Sequence, residues 1–322
     1  MYKILEAPER IKDKRALRDI LTAKLGEQLA ADPRVCYVDA DLMNCIGARK
    51  LAAQYPERAV NCGISEAAMV CIAAGMSAAG MIPYAHTFGI FASRRVMDQS
   101  FLSVGYAKLN VRVIGSDPGV TAALNGGTHM PFEDMAVYLA IPNAIAVEAC
   151  DAVQMAAIMD AVKDMYGLIY IRMMRKNPVM VYPEGAKFEI GKGNLLREGS
   201  DVTLIGSGVT VAESLKAADA LAAEGVSARV IDLFTWKPID SALIEESARK
   251  TGAIVTAENH NYLSGLGAQV AQVVGETYPV PVLRVGVEDE FGEVGPEDYL
   301  LKRFGLTADK IAAKARAAVA MK

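Results

Sequence analysis

The chain has 322 residues, a formal net charge of −4 and an apolar fraction of 52%, enough to bury one or two cores. No basic block is present to meet a phosphate backbone, so nucleic acid is not an expected partner. No apolar run is long enough to span a bilayer, so no membrane association is expected. The start, MYKILEAPERIKDKR, is charged and has no apolar leader stretch, and the five cysteines (36, 45, 62, 71 and 150) are scattered. Together these features predict reduced thiols in a cytoplasmic protein.

Helical periodicity covers 16–31, and Val35–Asp39 has the composition of a strand. The spacing then predicts strand Ala59–Ile64, helix 66–79, strand 82–86, helix 92–107 and strand 111–115. After a loop at 116–130 come helix 132–139, strand 144–148, helix 151–165 and strand 168–172. Such alternation predicts a parallel sheet covered by helices. Asn177-Pro178 and the segment 181–200 break the rhythm, and DVTLIGSG then opens a smaller unit. The expected fold class is α/β, with two parallel-sheet-dominated domains at 1–178 and 200–322 and a linker at 179–199. No internal repeat or low-complexity tract is present.

Open parallel sheets bind ligands beyond the carboxyl ends of their strands. That rule gathers Asp39, Asp41, Glu66, His86, the loop 116–130 with His129, Arg172 and Arg175 at one edge. Glu66 opens a helix rich in small residues, where an acid favours the helix dipole. Phe88 and Phe91, three apart, suit core packing. Taken together, these three residues also suit a slot with one acid and a flat apolar wall, matched to a heteroaromatic ring. His129 lies in a Gly-rich loop where backbone can approach a ligand closely, or it is a surface histidine. Arg172 and Arg175 either grip an anion or form solvated ion pairs. Gly206-x-Gly208 precedes a helix and suits an anion, but it lacks the third glycine and the acid of a dinucleotide site. None of the three histidines has a neighbour at metal-ligand spacing, and His86 reads as a packed side chain.

G-I-S-E (63–66), the helix after it, P-Y-x-x-T-F-x-x-F (83–91), D-Q (98–99) and Gly126-Gly127-Thr128-His129 resemble transketolases. These are thiamine-diphosphate enzymes that transfer two-carbon ketol units. KPID (237–240) and ENHNYLSGLG (258–267) extend the resemblance to the whole C-terminal half of that family. It implies a pyrimidine-binding domain followed by a transketolase C-terminal domain, with Ile64, Glu66, Phe88 and Phe91 on the cofactor's aminopyrimidine. Glu66 is then the acid that hydrogen-bonds pyrimidine N1′. His129 faces the substrate. Arg18 and Arg172, and more loosely Arg175, hold an anionic group of it.

The sequence departs from the family pattern at three places: Cys45 replaces a phosphate-contacting serine, Asn125 replaces a hydroxyl-reading aspartate, and Arg94 stands at a position often aromatic. The implied donor is therefore a ketose with an anionic tail, a phosphate held differently or another anion such as a sulfonate. His260 is expected to serve structure or an interface. The family's G-D-G…N motif for the diphosphate and Mg²⁺ does not occur in these residues. That implies a partner subunit carrying the diphosphate-binding domain, in an α2β2 assembly. Two other readings stay open: the β-subunit of a 2-oxo-acid dehydrogenase E1, and a non-catalytic scaffold subunit.

Overall fold

The computed structural model describes residues 1–322. In chain order its strands are β1 (Val35–Asp39), β2 (Ala59–Asn61), β3 (Ile82–Phe88), β4 (Val111–Ser116), β5 (Ile145–Glu148) and β6 (Leu168–Met173). They continue with β7 (Asn194–Arg197), β8 (Val202–Gly206), β9 (Ala228–Asp232), β10 (Thr235–Lys237), β11 (Ile254–Asn261) and β12 (Val282–Val287). Two sheets result, ordered β10-β5-β6-β4-β3-β1-β2 and β12-β11-β8-β9-β7. Every pairing is parallel except the two edges, β10 on β5 and β7 on β9. The fold is α/β, as the alternation predicts.

Strands β1, β3, β4 and β6 are buried at every residue, as strands covered by helices on both faces must be. The helix Leu17–Ala31 buries Leu17, Leu21, Leu25 and Leu29 at four-residue spacing, a single apolar face. The helix Glu66–Ala78 buries Met69, Val70, Ala73 and Ala74, and its alanines let it lie close on β3.

The structure differs from the expected elements in four places. The strand expected at 59–64 stops at Asn61, because the Asn61 side chain accepts from the Asp41 and Gly63 amides and turns the chain. The helix expected at 92–107 is split into Gly89–Ser93 and a wide π-turn segment, Gln99–Tyr106. In the first piece the Ser93 hydroxyl donates to the Gly89 carbonyl at 2.7 Å, a local bond that competes with the helix ladder. Inside the expected linker, β7 forms the edge of the second sheet. Finally, β10 leaves the C-terminal part of the chain and pairs with β5 in the first sheet. Tyr2 also donates its amide to Leu195 at 2.7 Å, so the two sheets are interlocked. No helix is long and apolar enough to cross a membrane.

The register aligns Phe88 with Ser116 and Ser116 with Met173 across β3, β4 and β6, and Asp39 with His86 across β1 and β3. The carboxyl ends of the central strands therefore meet at one edge, and the loops that leave them build the site.

Candidate active site

Glu66 follows the Asn61 turn and begins its helix with a carboxylate that is only 3% exposed. Phe88 ends β3, and Phe91 lies one turn further on, with ring centroids 6.3 Å apart. His129 presents its edge to both rings, at 5.9 Å from Phe88 and 5.3 Å from Phe91. Its Nδ1 lies 2.9 Å from the Thr128 hydroxyl, which leaves Nε2 as the outward-facing nitrogen. The His129 loop needs its glycines: a Cβ on Gly127 would lie 2.1 Å from the Gly292 carbonyl oxygen. Gly126 has φ +80°, a conformation that favours glycine. Ile64 and Asn125 are exposed at the rim.

A residue with no signal in the sequence completes this slot. Arg95 Nη1 donates to both oxygens of Glu66, each at 2.9 Å. The same guanidinium lies 4.0 Å from the centre of the Phe91 ring, a cation–π contact. A planar group with a polar edge therefore already fits between Phe91 and the buried carboxylate. Arg94 points elsewhere and pairs with Glu133 at 3.0 Å.

Basic side chains also lie near Phe88. The Arg175 guanidinium lies 4.9 Å from the Phe88 ring centre, and its Nε donates to Asp117 at 2.6 Å. Burial works against the Arg175 charge, but Asp117 more than offsets it and raises the pKa. The Arg18 amide donates to the Arg175 carbonyl at 3.3 Å, and Arg18 Nη1 donates to the Cys45 carbonyl at 3.2 Å. Arg18, Cys45 and Arg175 thus converge. Each guanidinium has a carboxylate of its own, Asp19 at 3.6 Å from Arg18 Nε and Asp117 on Arg175, so the cluster is close to neutral.

Arg172 is not part of it, contrary to the expectation from the sequence. Its side chain is fully buried and its donors are already engaged. Nε and Nη2 donate to Asp134 at 2.8 and 3.0 Å, Nη1 to Glu148 at 2.5 Å, and Nη2 also to the Asn259 carbonyl at 2.8 Å. Burial opposes its charge, yet Asp134 and Glu148 hold its pKa above the ordinary value. Arg172 still belongs to β6 and is directed between the two sheets, whereas Arg175 lies beyond the strand end.

The same interface accounts for the Gly206-x-Gly208 turn. Ser207 donates to Glu148 at 2.8 Å, and a Cβ on Gly208 would lie 2.4 Å from Glu148 Oε1. The anion in that turn is the protein's own carboxylate. His86 is fully buried between Asp39 (2.8 Å) and the Ser116 hydroxyl (3.0 Å). His260 is also buried and donates from Nδ1 to the Asn261 carbonyl; burial pushes its pKa down to about 4. No three His, Cys, Asp or Glu side chains converge to hold a metal.

Comparison with known proteins places these elements. Residues 13–179 match the family "Transketolase, pyrimidine binding domain" and residues 191–311 match "Transketolase, C-terminal domain". The chain is 48% identical over 295 residues to the 6-deoxy-6-sulfo-D-fructose transketolase subunit of Clostridium sp. (strain MSTE9), covering 92% of each. It is 32% identical to one of the apulose-4-phosphate transketolase subunits of Phocaeicola vulgatus, covering 92% of this chain and 95% of that one. Among solved structures it is similar to a split gene transketolase described as an inactive beta4 tetramer. There the TM-score is 0.89 and the identity 40%, covering 95% of this chain and 99% of that one.

Proposed function

The chain belongs to the transketolase family, and from that premise we propose that it is one subunit of a two-chain transketolase acting on a ketose with an anionic tail. The observation that carries this reading is the arrangement around Phe88. A buried carboxylate and an aromatic wall stand near it, and Arg175, with Arg18 beside it, lies against the same ring. Thiamine diphosphate, when bound, supplies the electron sink that lets a ketose lose a two-carbon unit.

Each side chain has a separable task. Glu66 hydrogen-bonds pyrimidine N1′ as the protonated acid and moves its proton at that atom. Phe91 gives the ring a stacking face, with Phe88 and Ile64 at its flank. His129 orients the substrate hydroxyls through Nε2. Arg175 and Arg18 hold the anionic end, with Cys45 beside them. With Asp19 and Asp117 already paired to its two guanidiniums, the cluster suits a sulfonate, which carries a single charge, better than a phosphate, which carries about −1.5 to −2 near neutral pH. A thiol at Cys45 is a weak donor, which also suits the less basic sulfonate oxygens. The similarity to a sulfofructose transketolase subunit supports the same choice.

Mg²⁺ and the diphosphate are assigned to the partner subunit, because this sequence has no G-D-G motif; an α2β2 complex in the cytoplasm is the proposed form. The test is to mix the purified chain with a diphosphate-binding partner subunit and measure ketol transfer from 6-deoxy-6-sulfo-D-fructose, fructose 6-phosphate and fructose. Activity only in the mixture, with the sulfonated donor preferred, is expected. Full turnover by this polypeptide alone with cofactor and Mg²⁺ would overturn the two-subunit reading.

A further inference from the structure

We propose that Arg95 is an internal occupant of the pyrimidine slot, and that cofactor binding requires its guanidinium to swing out. The inference rests on the assignment of Glu66 and Phe91 to the aminopyrimidine. Two independent contacts point to it. Arg95 Nη1 satisfies both oxygens of a nearly buried carboxylate, and its guanidinium carbon stands 4.0 Å over the Phe91 ring. These are the same acid and the same face that an aminopyrimidine would use, so ring and guanidinium exclude each other in space.

They also exclude each other in chemistry. A guanidinium has only donors, so Glu66 must accept from it and has no proton to give. Pyrimidine N1′ is an acceptor and needs Glu66 as a donor. Exchange therefore changes the role of Glu66: the carboxylate takes up a proton from solvent, and Arg95 leaves the slot still charged. The second requirement, freedom to move, is met because the Arg95 side chain is 48% exposed and Glu66 is its only ion-pair partner. While Arg95 is seated, the slot presents a cation stacked on Phe91; once it has left, the slot presents a carboxylic acid beside a bare ring. A subunit built this way protects its activating acid from stray cations and gives the slot to a ligand that outcompetes one arginine.

The test is calorimetric titration at fixed pH, with two probes. The full chain is titrated with 4-amino-5-hydroxymethyl-2-methylpyrimidine, and the complex with its partner is titrated with thiamine diphosphate and Mg²⁺. Arg95→Ala is expected to tighten both by about 3–30-fold, the equivalent of losing one half-exposed ion pair and one cation–π contact. Arg95→Lys, which keeps the charge without the flat stack, should fall between. In a Glu66→Gln background the ion pair is already gone, so adding Arg95→Ala should tighten binding much less, a coupling a merely structural residue would not show. Unchanged or weaker binding by Arg95→Ala, with Glu66→Gln and Phe91→Ala still impairing it, overturns the inference and leaves the slot assignment standing. If no form binds either probe, or if Glu66→Gln and Phe91→Ala change nothing, the slot assignment fails and the inference with it.

Discussion

Arg172 and Arg175, three residues apart, should fail in opposite ways when each is replaced by methionine. Arg172 is fully buried and bridges two buried carboxylates, Asp134 and Glu148. Removing it leaves both without a counter-charge, a loss of about 3–5 kcal/mol for breaking a buried pair. With an unfolding entropy of about 2.1 cal/mol/K per residue over 322 residues, that corresponds to a fall in Tm of about 4–7 °C. The loss acts on the fold, so any activity that remains should keep its donor preference. Arg175 is anchored by Asp117 and lies against Phe88. Its replacement should cost one charge-assisted contact to the donor tail, about 1.5–3 kcal/mol, or about 10–150-fold in kcat/KM. The upper end is expected, because Asp117 would then face the anion unpaired. Neutral ketoses should lose little, and Tm should change less than for Arg172→Met. The assays are a thermal melt and a donor panel on the reconstituted enzyme. If Arg172→Met melts like the parent and loses only anionic donors, the assignment of the two arginines is reversed and the reasoning is refuted.

Three further outcomes follow from other residues. Glu66→Gln in the reconstituted enzyme should slow exchange of the cofactor's C2 proton by about 10²–10⁴-fold, the span typical of acid–base groups, and weaken cofactor binding less; exchange at the parental rate would remove Glu66 from the role of activating acid. Burial raises the pKa of Asp232 to about 7 and of Glu258 to about 8. Both bind a proton more tightly in the folded state, so the stability they contribute is fully present below the unfolded carboxyl pKa and is lost as pH rises toward these values. His260, pushed down to about 4, acts oppositely, but only below about pH 6.5. Tm should therefore decline from about pH 6.5 to about pH 8.5, and Asp232→Asn should flatten the decline; a flat or rising profile in the parent would contradict it. Gly127→Ala should displace the His129 loop, because its Cβ would lie 2.1 Å from the Gly292 carbonyl oxygen. Its expected signature is a larger loss in kcat/KM than in Tm, and a fully active variant would show that the loop has no such constraint.

The parts of the fold legible in the sequence are those where one physical signal dominates. Strands β1, β4 and β6 are buried on both faces, so they stand out as short continuous apolar runs between helical stretches. The strands that escape such a reading are edges. β7 and β10 are short, antiparallel and made partly of polar residues, and pairing with a distant partner leaves no local periodicity. The split at Ser93 is hidden too, because helical apolar spacing continues through 92–107 while the backbone widens into a π-turn.

The same division runs through the site. The strand-end rule gathers Glu66 and His129, because it needs only the position of a residue relative to a strand, whereas the phenylalanine pair is read from its three-residue spacing and the family resemblance. It does not separate Arg172 from Arg175. That distinction depends on where β6 ends, and a one-residue error there reverses which side of the sheet a side chain takes. The carboxylates that decide the matter, Asp134 and Glu148 for one arginine and Asp117 for the other, come from other loops and cannot be paired by spacing. Arg95 is the least visible of all. It is an exposed arginine beside another arginine, four residues after Phe91, and nothing in its own surroundings in the sequence points to Glu66, 29 positions earlier. Its importance lies in a vector, the direction a half-exposed side chain takes when a buried carboxylate and an aromatic face are both within reach. A sequence states which groups are present near a strand end; which of them already satisfies another is decided by geometry, and in this slot that geometry determines what an incoming ring must displace.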